Sequence, residues 1–142
     1  MALYRPAALA LIPRSWSQRP RQWLVVTRPE PPHEYAIPGG LKDPEDQTLQ
    51  DTAAREADEE TAVRPGPLER VGIGDQDGRM VHVFLARTWS GTPTSREAAK
   101  MRTGGGRVGW MTWAQLRAQA VHFGGFLDGI AQGFKALYGE AP

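Results

Sequence analysis

The 142-residue sequence has no cysteine and no asparagine, only three histidines, and no long apolar run. Without cysteine there is no disulfide framework, no thiol nucleophile and no zinc site built on thiolates. His33, His82 and His122 are too scattered to read as a histidine metal centre. The apolar stretch at residues 7–13 follows Arg5 and Pro6 and is too short for a membrane span. It also lacks the shape of a signal peptide, so a cytoplasmic location is the expectation. Gly and Pro total 28 residues, below the share that marks a low-complexity chain. No internal repeat is visible, which removes solenoids and propellers. The length fits one domain, residues 1–142, with enough chain to bury a real core.

What is present is an uneven charge. Seventeen basic and sixteen acidic residues nearly cancel. Yet eight of the acids, Asp43, Glu45, Asp46, Asp51, Glu56, Asp58, Glu59 and Glu60, fall in residues 43–60 beside a single base, Arg55. That window carries −7, so the remainder carries +8.

Apolar and β-branched runs predict strands at residues 3–13 and 22–28, followed by a Pro-rich segment that ends in the turn Pro38-Gly39-Gly40. A helix is expected from about Thr48, where Thr48 and Asp51 resemble a capping box, to about residue 63, where Pro65-Gly66-Pro67 must end it. Residues 69–74 and 79–89 read as a hairpin turning at Asp77-Gly78. Residues 90–106 read as a polar loop and 108–112 as a short strand. Residues 113–121 and 124–138 read as helices, the second with Phe126, Ile130, Phe134 and Leu137 on one stripe. Strands with one early helix and two late ones predict an α/β sheet covered on both faces.

A run of acids is ordinarily a solvated helix face. The helical period argues otherwise here. With Leu49 at 0° and about 100° per residue, Ala53 and Ala57 define a buried stripe. Glu56 falls at about −20° and Glu60 at about +20°, within it, and Glu59 at about −80°, on its border. Asp51 and Asp58 fall on the far side. Three carboxylates crowding an inward face repel one another, and partial burial adds a desolvation cost. Arg55 can reach Glu59 one turn on and is expected to reach no further. A hard divalent cation, Mg²⁺ or Mn²⁺, is the simplest neutraliser, since it takes oxygen ligands and bridges to phosphates. The fourteen arginines and three lysines suit a phosphorylated substrate.

Pro38-Gly39-Gly40 followed by Arg55-Glu56-Ala57-Asp58-Glu59-Glu60-Thr61-Ala62-Val63 resembles the signature box of the Nudix hydrolase family. The Arg-Glu-x-x-Glu-Glu core matches in full. The resemblance implies an α/β/α sandwich with a mixed sheet and metal-dependent hydrolysis of a nucleoside diphosphate linked to another moiety, X. It implies Glu56, Glu59 and Glu60 as Mg²⁺ or Mn²⁺ ligands, Gly39 as a carbonyl donor, and Arg55 as the residue that orients a glutamate. Glu97 is the one acid between Asp77 and Asp128 that could add a ligand from a loop. Arg28, Tyr35, Phe84 and Trp110 are the candidates for holding the substrate, the aromatic faces suiting a base.

Two departures stand out. The glutamate expected eight residues before the arginine is Gln47, and the spacing from Gly40 to Arg55 is one residue longer than the pattern; Asp46 or Glu45 substitutes if the loop bulges. The box glycine is Ala62, so if that position needs positive φ the helix must end differently. Residues 78–80 lack the proline and tyrosine of the ADP-ribose and dinucleoside-polyphosphate branches, which leaves the MutT-like nucleoside-triphosphate branch as the nearest. The missing asparagine removes a residue that sanitising members often use to read a base edge. A nucleoside triphosphate pyrophosphohydrolase is therefore expected, with a weakly catalytic or non-catalytic nucleotide-binding module as the alternative. The expected partner is a nucleotide or other nucleoside diphosphate-X compound, with no membrane and no stable nucleic-acid partner; dimerisation is left open. The glycines at 104, 106 and 109 precede a strand, not a helix, and carry no phosphate-loop context.

Overall fold

Residues 5–28, 30–95 and 107–142 are described by a computed structural model. In chain order the elements are β1 (Ala7–Leu11), β2 (Gln22–Thr27), β3 (Tyr35–Ala36), β4 (Gly39–Leu41), α1 (Leu49–Thr61), β5 (Arg64–Pro65), β6 (Leu68–Gln76), β7 (Arg79–Ala86), β8 (Trp89–Ser90), β9 (Val108–Thr112), α2 (Trp113–Gln119) and α3 (Gly124–Tyr138). The uncharged β1 is paired on both edges, antiparallel to β4 and parallel to β7, as its apolar run demands. The mixed sheet runs β4-β1-β7-β6; a second sheet runs β3-β2-β9, and β5 and β8 form a short ribbon.

Alternation along the strands divides the core in two. Ala8, Ala10, Leu24, Phe84 and Ala86 pack against Ala53 and Ala57 of α1. Leu11, Trp23, Val25, Val83 and Leu85 pack against Leu116 of α2 and Leu127, Ile130 and Phe134 of α3. The result is an α/β/α sandwich. The small side chains on the α1 side let that helix approach the sheet closely, which carries its acids close to the strands.

Local signals are reproduced with few changes. Thr48 caps α1 through its side chain and Asp51 returns the bond to the Thr48 N–H. Asp77 and Gly78, both at positive φ, turn β6 into β7. The described part of the first expected strand is shorter than residues 3–13, because Pro13 makes only an isolated bridge to Trp23. The α3 stripe needs correction at its end: Leu137 is exposed, and Tyr138 packs on Phe134 and Trp16 in its place. Gly133 lets α3 close onto β6, where an added Cβ would lie 3.2 Å from the Val71 carbonyl. Among the described residues no helix is long and apolar enough to cross a membrane.

Helix α1 ends as it would with glycine: Ala62 takes the left-handed conformation (φ 63°, ψ 14°) and its N–H bonds the Asp58 carbonyl. A Cβ at positive φ is strained by roughly 1 kcal/mol. Ala62→Gly is therefore expected to raise stability by a few tenths of a kcal/mol in urea denaturation, because the entropy glycine adds to the unfolded chain offsets about 0.4–1 kcal/mol of the relief. A loss of stability would show that the Ala62 side chain supplies packing worth more than the strain.

Candidate active site

The centre of the acidic window is Arg55. Its Nε and Nη2 form a fork on Asp46, at 3.1 and 2.9 Å. Its Nη1 donates to Glu56 at 3.1 Å and Glu59 at 3.2 Å, and Nη2 also reaches the Leu41 carbonyl at 3.1 Å. Asp43 lies 3.4 Å from the same guanidinium. This corrects the expectation that Arg55 reaches only Glu59. Residues 42–48 fold back along the first turns of α1, and a contact across that loop is invisible to helical spacing.

Asp46 is the residue that makes this possible. It is buried, and besides Arg55 it accepts from the Thr52 hydroxyl at 2.9 Å and the Asp43 N–H at 3.0 Å. The Arg55 hydrogen bonds hold its carboxyl well below the usual aspartate range, although burial pulls the other way. Asp46 in turn raises the pKa of Arg55. In the one-residue-longer loop it is thus Asp46, the residue before Gln47, that holds Arg55.

Glu56 is half-buried, and its carboxyl is raised chiefly by desolvation; hydrogen bonds with Glu60 and Arg55 act against the rise. It lies against Gly40, where an added Cβ would collide with its carboxylate. Gly39, expected as the carbonyl donor, pairs with Leu9 in the β1–β4 ladder, where an added Cβ would meet Leu9 and the Ala8 carbonyl. Gly40→Ala is expected to leave the fold intact, because the obstructing group is a flexible side-chain tip, and to cut activity by displacing Glu56. Melting temperature and turnover measured together check this. Glu59 is exposed and Glu60 half-buried, on the same helix face as Glu56; Asp51 is exposed as expected, whereas Asp58 is partly covered. Glu97 lies outside the described residues.

These carboxylates are hard oxygen donors on one face, with a glycine leaving room beside Glu56. That donor set fits a divalent cation. Among the described residues they do not converge on one point as a ligand group of three or more. Arg55 bridges Glu56 and Glu59, and a bound cation would take its place as their neutraliser.

The other feature is a recess of about 520 Å³ between the end of β2, the turn joining α2 to α3, and the β6 end of the hairpin. Arg28 lines it, the guanidinium 4.5 Å from the Phe123 ring centre. A smaller hollow of about 70 Å³ adjoins it, lined by Tyr35, Ala36, Gln76 and Phe123. Tyr35 is held by Gln119, which accepts from its N–H at 2.7 Å and donates to its carbonyl at 2.9 Å. Arg28 and Tyr35 are thus brought together. Phe84 and Trp110 are not. Phe84 is fully buried among the α1-side residues, and Trp110 packs on Trp89 at 5.5 Å on that same side. Strand periodicity alone does not say which face of the sheet a side chain takes. Phe123, Phe126 and Glu34 also line the recess; the sequence shows Phe126 only as part of the α3 stripe, while Phe123 and Glu34 sit in the break between two helices and in the Pro-rich connection, where binding residues concentrate.

The family model of the NUDIX domain matches residues 3–126. The chain belongs to the Nudix family. Nudix members are hydrolases and generally use divalent metal ions. Solved structures of the same fold include MutT from Aliivibrio salmonicida and Vibrio cholerae, with TM-score 0.69 and 18% identity over 89% of this chain and 95% of that one. The NUDIX domain of Shewanella oneidensis NrtR complexed with ADP ribose matches with TM-score 0.71 and 20% identity, over 93% and 88%. A C. elegans Ap4A hydrolase matches with TM-score 0.63 and 18% identity, over 96% and 98%. At these identities they establish the Nudix fold and no more. No curated protein matches the chain.

Proposed function

We propose that this Nudix chain hydrolyses a phosphoanhydride in a nucleoside diphosphate-X compound, acting on nucleoside triphosphates as a pyrophosphohydrolase. The observation that carries the reading is the Arg55 hub, which aligns Glu56 and Glu59 beside Gly40 and is itself anchored by buried Asp46. Glu56, Glu59 and Glu60 would hold Mg²⁺ or Mn²⁺, with Gly39 or Glu97 as additional ligands. A cation bound there supplies Lewis-acid polarisation of a phosphoryl oxygen and acidifies water. The chain itself supplies the rest. Arg55 fixes the rotamers of Glu56 and Glu59, and Asp46 fixes Arg55. In the recess and the hollow that adjoins it, Arg28 and the rings of Tyr35 and Phe123 present a cation and flat apolar faces to a nucleoside.

The test is a panel of nucleoside triphosphates, ADP-ribose and dinucleoside polyphosphates, assayed with Mg²⁺ and with Mn²⁺ and with products identified. Turnover that needs metal and releases pyrophosphate from a triphosphate is expected. The alternative, a nucleotide-binding module without turnover, draws on the same hub: Arg55 already neutralises Glu56 and Glu59 and competes with a cation for them. Binding of one panel member without hydrolysis under either metal would decide for it.

A further inference from the structure

Gln76 lies where the recess meets the adjoining hollow, and it lines both, as do Arg28, Phe123 and Phe126. Exposure alternates along this end of β6. Ile73 and Asp75 are exposed, while Gly72, Gly74 and Gln76 are partly covered. At Gly74 the cover is α3, since an added Cβ would meet the Phe126 ring at 2.6 Å. Gln76, two residues on, turns its side chain to that same face, the face that carries both cavities. It is half-buried, not sealed, so a ligand in either cavity can touch it.

The Gln76 amide is also unspent. The backbone pairs with Arg79 in the ladder, but among the described residues the side chain makes no hydrogen bond. Its charged neighbours are engaged with the protein. Arg28 stacks on Phe123 at 4.5 Å, and Asp75 Oδ1 accepts from the Gly78 N–H at 2.9 Å. Leu9, Ile37 and Leu116 make the hollow largely apolar. Apolar walls with a few placed polar groups are how small-molecule sites fix orientation. Glu30, Asp75 and Asp77 line the recess against Arg28 and His122. That excess of carboxylates repels phosphate, so the flat uncharged end of a nucleotide is the part that enters.

We propose that Gln76 reads the edge of the nucleobase, its amide oxygen accepting from an N–H of the base and its NH₂ donating to the acceptor beside it. This rests on the recess being the place where the nucleotide's base binds. The Watson–Crick edge is the end of the ring farthest from the sugar, so it reaches deepest. Adenine presents an amino donor there beside the N1 acceptor. Hypoxanthine presents the reverse, an oxygen beside N1–H. A carboxamide carries donor and acceptor side by side and matches either by turning over. A purine with no group at C6 leaves the amide oxygen without a donor. The recess therefore takes amino and oxo bases alike and disfavours a base with a bare edge. Sites built around a hydrogen bond reject a ligand lacking the partner far more strongly than apolar pockets reject a change of size.

The experiment is calorimetric binding of AMP, IMP and purine riboside 5′-monophosphate, which has no group at C6, to the full chain without metal. AMP and IMP are expected to bind within about three-fold of each other and about ten-fold tighter than the bare purine. Gln76→Leu should bring the preference for AMP over the bare purine down towards one, because the amide is gone while the ring surfaces remain. Gln76→Glu offers two acceptors and no donor. It should shift the ratio of GMP to AMP affinity about ten-fold towards GMP, whose N1–H and amino N–H match it. Equal wild-type binding of AMP and the bare purine overturns the proposal, as does no binding by any of the nucleotides. An AMP preference that survives Gln76→Leu also overturns it, because the residue would then be only part of the wall. The wild-type comparison needs no variant, so a misfolded variant does not shield the proposal. Binding without metal is also independent of turnover. A preference that Gln76→Leu removes, with no hydrolysis of the triphosphates, sinks the hydrolase reading alone. Hydrolysis with no preference sinks this proposal alone.

Discussion

Glu60→Gln is expected to lower nucleotide turnover by about three orders of magnitude while leaving the fold unchanged. The substitution keeps the shape of the side chain and removes its charge. Glu60 lies on the sheet-facing side of α1 and shares a hydrogen bond with Glu56. Losing one of three charged donors for a cation that stabilises developing phosphoryl charge removes several kcal/mol, and each factor of ten in rate corresponds to about 1.4 kcal/mol. The helix itself is held elsewhere, by the Thr48–Asp51 capping box and by Ala53 and Ala57 against the sheet. Its melting temperature should therefore hold or rise slightly, as like charges are relieved. Initial rates at saturating metal, with melting curves on the same samples, check both halves. Wild-type rates in the variant would remove Glu60 from the chemistry. A raised melting temperature together with a wild-type protein indifferent to metal would mean that the acidic face is only structural.

The second large effect is on stability. Asp46→Asn is expected to cost about 3 kcal/mol, in the range seen when one member of a buried ion pair is removed. It strips the fork from Arg55 and weakens the acceptor for Thr52, a buried hydroxyl. For a chain of this length that is roughly a 10 °C fall in melting temperature. Turnover should fall as well, because Arg55 would lose the anchor that aims it at Glu56 and Glu59. Asp46→Glu, which keeps the charge, should recover part of both losses. The pH dependence has a definite sign. The Asp46 carboxyl is held below its unfolded value, so its contribution is complete above the ordinary aspartate pKa of about 3.9 and is lost as pH falls below it. The asparagine variant should accordingly show a shallower acid-induced loss of stability than the wild type. Parallel acid curves for the two proteins would show that the pair contributes nothing net.

Much of the site was legible because its chemistry is local. Glu56, Glu59 and Glu60 share a face through helical spacing alone, and the capping box and the Asp77-Gly78 turn act over three or four residues. Gly40 was legible as part of a turn signal, but not as the residue that leaves space for the Glu56 carboxylate. Ala62 shows the converse. Its side chain argues against the left-handed conformation, yet the chain adopts it, because the closing hydrogen bond to Asp58 and the direction of the following β5 demand it.

The sequence by itself determined the class of fold, the helix and its ends, and three carboxylates too close together to be an ordinary solvated face. Periodicity, capping and like-charge repulsion are properties of neighbours along the chain. Tertiary structure alone decided that Asp46 holds Arg55, that Arg28 and Tyr35 meet at the hollow beside the recess while Phe84 and Trp110 pack on the other side of the sheet, and that Glu34 is buried with one oxygen unpaired among the described residues. Each of these depends on which face a strand turns inward and on where a loop folds back. Such contacts join residues far apart in the chain, and no local pattern encodes them.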